Sequence, residues 1–310
     1  MRIGLIDVDG HNFPNLALMK LSSYHKNQGD YVEWYQPFSD RYDRVYMSKV
    51  FSFTPDYDLV VNADEVIKGG TGYAISLING KEYFEKNKDK DLPYEVEHSF
   101  PDYSIYPSIQ NTAYGYLTRG CPRGCNFCIV AGKEGKKAIQ VASLEEFWNG
   151  QNNIILLDPN IIASPNKVEL LERLADANAY VDFSQGIDAR LLTEELCKKL
   201  SKIKMKKIHF AWDKYNDRDV ILEKLEMFRE YKKMNSRNAI VYVIVNFDTT
   251  IEQDLERIYT LRDIGYWAYV MIYDKQHCKP IYRDMQRWCN NRAIFSAVPR
   301  FEDYKKIKLL

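Results

Sequence analysis

Gly120-Cys121-Pro122-Arg123-Gly124-Cys125-Asn126-Phe127-Cys128 gathers three thiols into a short stretch of a 310-residue chain that has only six cysteines. Nothing before it carries a cysteine, and Cys197, Cys278 and Cys289 stand far apart behind it. The C-x3-C-x2-C spacing also describes one stripe of an α-helix, where three buried cysteines would be ordinary core. Pro122 and Gly124 are poor helix-interior residues, however, and with Arg123 and Asn126 they mark an irregular loop. The loop reads as a metal site.

Ligand count narrows the metal. A closed zinc site takes four ligands, usually as two separated pairs, and no second C-x2-C or H-x3-H completes one. A disulfide framework sits badly with three clustered cysteines and with an opening Met1-Arg2-Ile3-Gly4-Leu5-Ile6 that reads as a buried strand, not a targeting segment. Iron–sulfur clusters are held by cysteine thiolates, and a four-iron cluster held by three leaves one iron open to a non-protein ligand.

The spacing, with Phe127 just before the last cysteine and an apolar strand ahead of it, resembles the cluster loop of the radical S-adenosylmethionine enzymes. The resemblance implies that Cys121, Cys125 and Cys128 hold a [4Fe–4S] cluster and that S-adenosyl-L-methionine chelates the open iron. It also implies reductive cleavage to a 5′-deoxyadenosyl radical acting on an unknown substrate, Phe127 against the adenine, and an electron donor such as flavodoxin or ferredoxin.

Working forward from the loop, strand-like runs begin near Ala113, Asn153, Tyr180, Lys207, Ala239 and Trp267, each followed by a helical pattern with start signals. Ser143-x-x-Glu146 is a capping box, Ser164-Pro165 sets an N-cap before a first-turn proline, and Thr193 and Thr250 precede acids in first turns. Six βα units predict a partial (β/α)6 TIM-like barrel over 108–290, with ligands at the C-terminal strand ends. Those ends carry Asp158 and Asn160, Gln185 and Arg190, Asp213, and Asn246. The resemblance implies cofactor contacts there, although the glycines expected beside Asp158 are missing. Acids and amides in such turns also serve as helix caps.

Working back, residues 1–81 alternate strands with a helical stretch and predict a parallel, Rossmann-like sheet. Tyr57–Val61 leads into a strand, and Gly69-Gly70 reads as a turn. Asp9-x-His11-x-x-Pro14 resembles the cobalamin signature, with Pro14 in the place of its glycine; His11 reads first as a capping or substrate contact, and cobalamin is the less favoured alternative. Residues 82–107, charged and then rich in Pro and Tyr, read as a linker, and 291–310 as a C-terminal tail. Cys278 and Cys289 fit a C-terminal helix better than an auxiliary cluster.

Lys plus Arg and Asp plus Glu balance at 43 each, so no whole-chain field advertises nucleic acid. The lysine runs at 133–137 and 198–207 read as solvated faces. Without an apolar run near 18 residues no membrane span is expected, and a cytoplasmic protein is the reading. Two other function classes remain: a tRNA- or nucleobase-modifying enzyme related to methylthiotransferases, whose N-terminal domain would carry three more cysteines, or a cobalamin-dependent methylase; and a non-catalytic binding protein with a metal-stapled loop.

Overall fold

Arg2–Asp7 forms the first strand, β1, paired on both edges by parallel strands, and Ile3, Leu5 and Ile6 within it are all buried because both faces of the sheet are covered there. A computed structural model of the chain describes residues 1–10, 13–78, 81–109 and 111–308. The chain divides into two units, Met1–Gly115 with Ala142–Ile154, and Tyr116–Val141 with Ile155–Leu310.

In the first unit, α1 (Leu16–Asn27) joins β1 to β2 (Tyr31–Trp34), and β3 (Tyr42–Ser48) and β4 (Ala63–Gly69) complete a parallel sheet of order β2-β1-β3-β4. Asn15 caps α1 by accepting from the Leu18 amide at 3.2 Å, and its Nδ2 donates to Ser48 Oγ at 2.8 Å, tying the helix start to the end of β3. One face packs Ile3 and Leu5 against Leu18, Leu21 and Val96; the other gathers Ile6, Tyr35, Tyr42, Val45 and Met47. No helix covers that second face from the connections 35–41 and 49–62, which are irregular, so Tyr57, Val61 and Tyr73 pack there instead. Tyr57–Val61 is itself a loop, and it leads into the strand that its sequence suggests. Asp56 holds it by accepting from the Tyr73 hydroxyl and Lys68, and the strand starts only at Ala63.

Residues 82–107, read as a linker, are built into this unit. β5 (Ile75–Ile78) pairs antiparallel with β6 (Lys81–Phe84), and α2 (Tyr94–Glu97) sinks Val96 into the core. Tyr103 and Tyr106 are buried, their hydroxyls donating to Phe147 O and Asp7 Oδ2 at 2.6 Å each. The segment looked solvated because its many charges surround the few apolar groups that turn inward.

β7 (Thr112–Gly115) and β10 (Asn153–Leu156) open the second sheet. Between them lie the short antiparallel pair β8 (Thr118–Arg119) and β9 (Ile139–Gln140), with the single-turn α3 (Val130–Lys133) inside the connection. α4 (Lys167–Asp176), β11 (Tyr180–Ile187), α5 (Glu194–Lys202), β12 (Met205–Ala211), α6 (Arg218–Tyr231), β13 (Ala239–Val245), α7 (Ile251–Asp263) and β14 (Trp267–Ile272) then alternate. The parallel sheet runs β7-β10-β11-β12-β13-β14, in chain order, and among the described residues β7 and β14 do not pair with each other, so no closed barrel forms. The helices bury Leu171, Leu200, Phe228 and Leu261, and Phe210 of β12 meets Phe228 edge-on at 5.2 Å. Thr193 and Thr250 cap α5 and α7 as their sequences suggest, whereas the Ser143–Glu146 box closes only a 3₁₀ turn.

α8 (Pro280–Asn290) covers the β14 edge. Asn290 accepts from the Val270 amide at 2.8 Å and donates to its carbonyl at 3.0 Å, occupying the outer groups of an edge strand. The expected tail is helical too: α9 (Arg292–Ala297) and α10 (Phe301–Lys308) bring Phe295 and Phe301 onto Trp288 at 4.9 and 5.4 Å. Among the described residues no helix is long and apolar enough to cross a membrane.

Candidate functional site

The cysteine loop springs from the β8–β9 pair, which clamps its two ends together. Gly120 begins it at φ +87°, and a Cβ there would lie 2.1 Å from the Lys137 carbonyl oxygen, so only glycine fits. Glu134 accepts from the Gly120 amide and the Gly135 carbonyl from the Cys121 amide, each at 3.1 Å, so the far arm of the loop folds over the first cysteine. Gly124 at φ +57° turns the chain again before a Cys128 N–H to Cys125 carbonyl bond of 3.0 Å. Helix begins only at Val130, and the three cysteines are not a helix stripe. Cys121 and Cys125 are half-buried and Cys128 is exposed.

Asp158, expected at the cofactor, lies beneath the loop with its oxygens engaged. It is buried and accepts from the Leu117 amide at 3.1 Å, the Thr118 amide at 2.5 Å and the Thr118 hydroxyl at 2.7 Å. Burial pushes its pKa up to about 6 against the pull of the Thr118 and Leu117 donors. It anchors the entry strand of the loop.

The other strand-end residues gather around the cysteines. Asn160, 2% exposed, points its Nδ2 at Cys121 Sγ at 3.8 Å, and its Oδ1 is 3.5 Å from the Asp188 amide it accepts from. Asp188, which sequence reasoning passed over, pairs with Arg123 of the loop and with Arg190 Nε at 2.7 Å; Arg190 also pairs with Asp217. A guanidinium held by two carboxylates is fixed in place at the end of β11. Gln185 is exposed within β11.

Asp213 follows β12. Burial drives its pKa up to about 6, opposed by the Arg257 and Arg190 charges, and its own charge helps raise the thiols of Cys125 and Cys128. Desolvation within the loop raises those two thiols first, that of Cys128 included although the residue's surface is exposed, and the neighbouring cysteines add to it, which marks all three as one electrostatic cluster. Asn246 sits at φ +62° after β13 and spends its Nδ2 on the Tyr273 carbonyl at 2.8 Å. Its neighbour Phe247 packs edge-on against Phe127 at 5.4 Å and Tyr273 at 4.8 Å, so an aromatic row flanks the loop.

The structure thus brings Cys121, Cys125, Cys128, Phe127, Asn160, Arg190 and Asp213 to one end of the sheet. Asp158 and Asn246 support that end through backbone groups. Arg257 was missed: fully buried in α7, it donates to the carbonyls of Trp212, Asp213 and Ile244 at 2.6, 2.9 and 2.8 Å and pairs with Asp254. An Arg three residues after an Asp in a helix carries no sequence sign of such burial.

Among the described residues no three His, Cys, Asp or Glu side chains are placed to hold a single metal ion. Cys289 donates to the Ala268 carbonyl, Cys278 to that of Lys275, and Cys197 is buried in α5, so each has a local setting. In the first unit, Asp9 accepts from the amides of Val50 and Phe51 and the Thr54 hydroxyl, while His11 lies outside the described residues. Gly70 turns at φ +97°, its missing Cβ leaving room for the Lys49 carbonyl, as the turn reading requires. No protein-family model matches the chain, and no curated protein matches it.

Proposed function

We propose that this chain is a radical S-adenosylmethionine enzyme acting at the C-terminal ends of β10 to β14. The observation that carries the reading is the set of three clustered thiols on a glycine-turned loop, with one buried amide aimed at Cys121. Such a donor set fits a thiolate-bound iron–sulfur cluster, with Cys121, Cys125 and Cys128 as its holders. When bound together with S-adenosylmethionine, the cluster would supply the electron that cleaves the sulfonium bond to give a 5′-deoxyadenosyl radical.

The chain's own residues have separable tasks in this reading. Asn160 donates to a cysteine sulfur, which tunes cluster potential. Arg190, fixed between Asp188 and Asp217, offers a positive group to a carboxylate, and Asp213 offers a negative one to an amino group. Phe127, Phe247 and Tyr273 supply flat apolar walls. Sequential parallel strands with helical crossovers are the topology of a partial (β/α)6 barrel, whose ligands collect at these strand ends. The β2-β1-β3-β4 order of the first unit suits a reduced Rossmann-like domain. Cobalamin stays secondary, because its one candidate ligand is His11.

Anaerobic reconstitution with iron and sulfide, followed by reduction in the presence of S-adenosylmethionine, tests the reading. Visible charge-transfer absorption and 5′-deoxyadenosine are expected, and both should vanish in the Cys121→Ala/Cys125→Ala/Cys128→Ala protein. Retention of both by that variant, or tight stoichiometric zinc in place of iron, would overturn it and favour a metal-stapled binding protein.

A further inference from the structure

Asp188 stands where the cysteine loop, the turn after β10 and the end of β11 meet. Just before it β11 is bulged, four residue steps from Phe183 to Ile187 running beside only two from Ile208 to Phe210, and bulges of this kind re-aim the groups that follow. Its side chain is 6% exposed and both oxygens are engaged. Oδ1 accepts from the Arg190 amide at 3.2 Å and from Arg190 Nε at 2.7 Å, and Oδ2 accepts from Arg123 Nε. The Asp188 N–H points to Asn160 Oδ1, 3.5 Å away. With that oxygen taken by a donor, the Nδ2 end of the Asn160 amide is the one left to face Cys121 Sγ.

Charges alternate through this node in the order Arg123, Asp188, Arg190, Asp217. Arg190 has a second carboxylate and Asp188 a second guanidinium, whereas Arg123 pairs with Asp188 alone among the described residues. Removing the Arg123 charge therefore strands no buried carboxylate, and its effect stays within the loop. Arg123 is the only charge between Cys121 and Cys128. Around it the chain is open: Pro122 and Gly124 are exposed, and a Cβ at Gly124 would meet nothing within 4 Å. Without a tether, such a stretch would have to be ordered by the metal itself, and metal affinity would fall by the conformational entropy of each residue fixed.

We propose that Asp188 is the positioning residue of the cysteine loop. Its carboxylate latches Arg123 to the end of β11, and its N–H turns the Asn160 amide toward Cys121, so the loop is ordered without metal and takes up a cluster with little further loss of freedom. The same carboxylate holds Arg190, so the metal loop and the arginine offered to a cofactor carboxylate share one anchor and are placed as a unit. That the loop holds a cluster rests on the reading given above; the latch itself does not.

Hydrogen–deuterium exchange in the metal-free full chain is the test, read at the Cys128 amide, whose bond to the Cys125 carbonyl closes the loop. Arg123→Gln should exchange there about tenfold faster than wild type, the consequence of one charge-assisted hydrogen bond lost, with its unfolding midpoint near wild type. Asp188→Asn should also exchange faster, and the double variant no faster than Asp188→Asn, since the two residues act through one bond. Asp217→Asn, which leaves the Arg123 pair in place, should keep wild-type exchange. After reconstitution, Arg123→Gln should lose iron to a chelator about tenfold faster than wild type, the same bond being lost. Unchanged exchange in Arg123→Gln, multiplied effects in the double variant, equally fast exchange in Asp217→Asn, or iron loss at the wild-type rate overturns the proposal. Because exchange is read without metal, its failure is distinct from a failure to form 5′-deoxyadenosine.

Discussion

The side-chain amide of Asn160 stands 3.8 Å from the sulfur of Cys121. Both residues are held there by different parts of the chain, one by the turn after β10 and the other by the glycine at the loop entry, so the contact is a product of the fold. A donor to a cluster sulfur stabilises the more negative, reduced form. In Asn160→Ala the reconstituted protein should keep its iron but show a more negative reduction potential in an EPR-monitored titration. An unchanged potential would mean that the amide only supports Asp188. Loss of the Oδ1 acceptor should also cost about 1–2 kcal/mol of folding stability.

Two glycines of the loop make a paired prediction. At Gly120 a methyl group would meet the Lys137 carbonyl oxygen at 2.1 Å, whereas at Gly124 nothing lies within 4 Å. Gly124→Ala therefore bears only the left-handed backbone penalty, about 1–2 kcal/mol. Gly120→Ala bears that and a backbone displacement, and its loop should fail to hold iron. Thermal melts and iron content of the two proteins would separate the effects; equal behaviour contradicts the close approach at Gly120.

Much of the second unit was legible because its strands are largely apolar runs: β11, β13 and β14 begin at Tyr180, Ala239 and Trp267, where their composition changes. Asn160, Arg190 and Asp213 were legible as polar residues just past such runs. What they touch was not, since Asp188 and Asp217 hold Arg190 across separate turns. Asp158 misled for the same reason, its partners Leu117 and Thr118 lying about forty residues away in sequence. In the first unit, the packing of Val96, Tyr103 and Tyr106 was hidden by the charges around them, and the uncovered face of the sheet was hidden because tyrosines replace the missing helices.

Asp158 should leave a signature in the pH dependence of stability. Its ordinary pKa of 3.8 is pushed up to about 6 in the folded protein, so between those values the native state binds more protons than the unfolded one. Stability from this group is then greatest below about pH 4, declines as pH rises toward about 6, and is level above. The full difference is worth up to about 3 kcal/mol. Asp158→Asn cannot titrate and will be less stable by a pH-independent amount for its lost acceptor. Urea melts of both proteins from pH 4 to 7 should show the wild-type advantage shrinking as pH rises; a constant advantage would place the folded pKa near 3.8.

Arg257 joins the ends of β12 and β13 by donating to Trp212, Asp213 and Ile244 carbonyls while paired with Asp254. Removing one partner of a buried pair leaves an uncompensated charge, so Arg257→Met should cost about 3–5 kcal/mol in urea unfolding. Arg257→Lys keeps the charge but has no fork to span two strands, and an intermediate loss is expected. Asp254→Asn combined with Arg257→Met should cost less than the two single losses together, because the stranded carboxylate is then neutral. The carbonyl of Asp213 is one of those held, so the weakened proteins should also retain less iron at a temperature where both remain folded. A methionine variant as stable as wild type would mean that the carbonyls find other donors and that the position of Asp213 is set by its own strand alone.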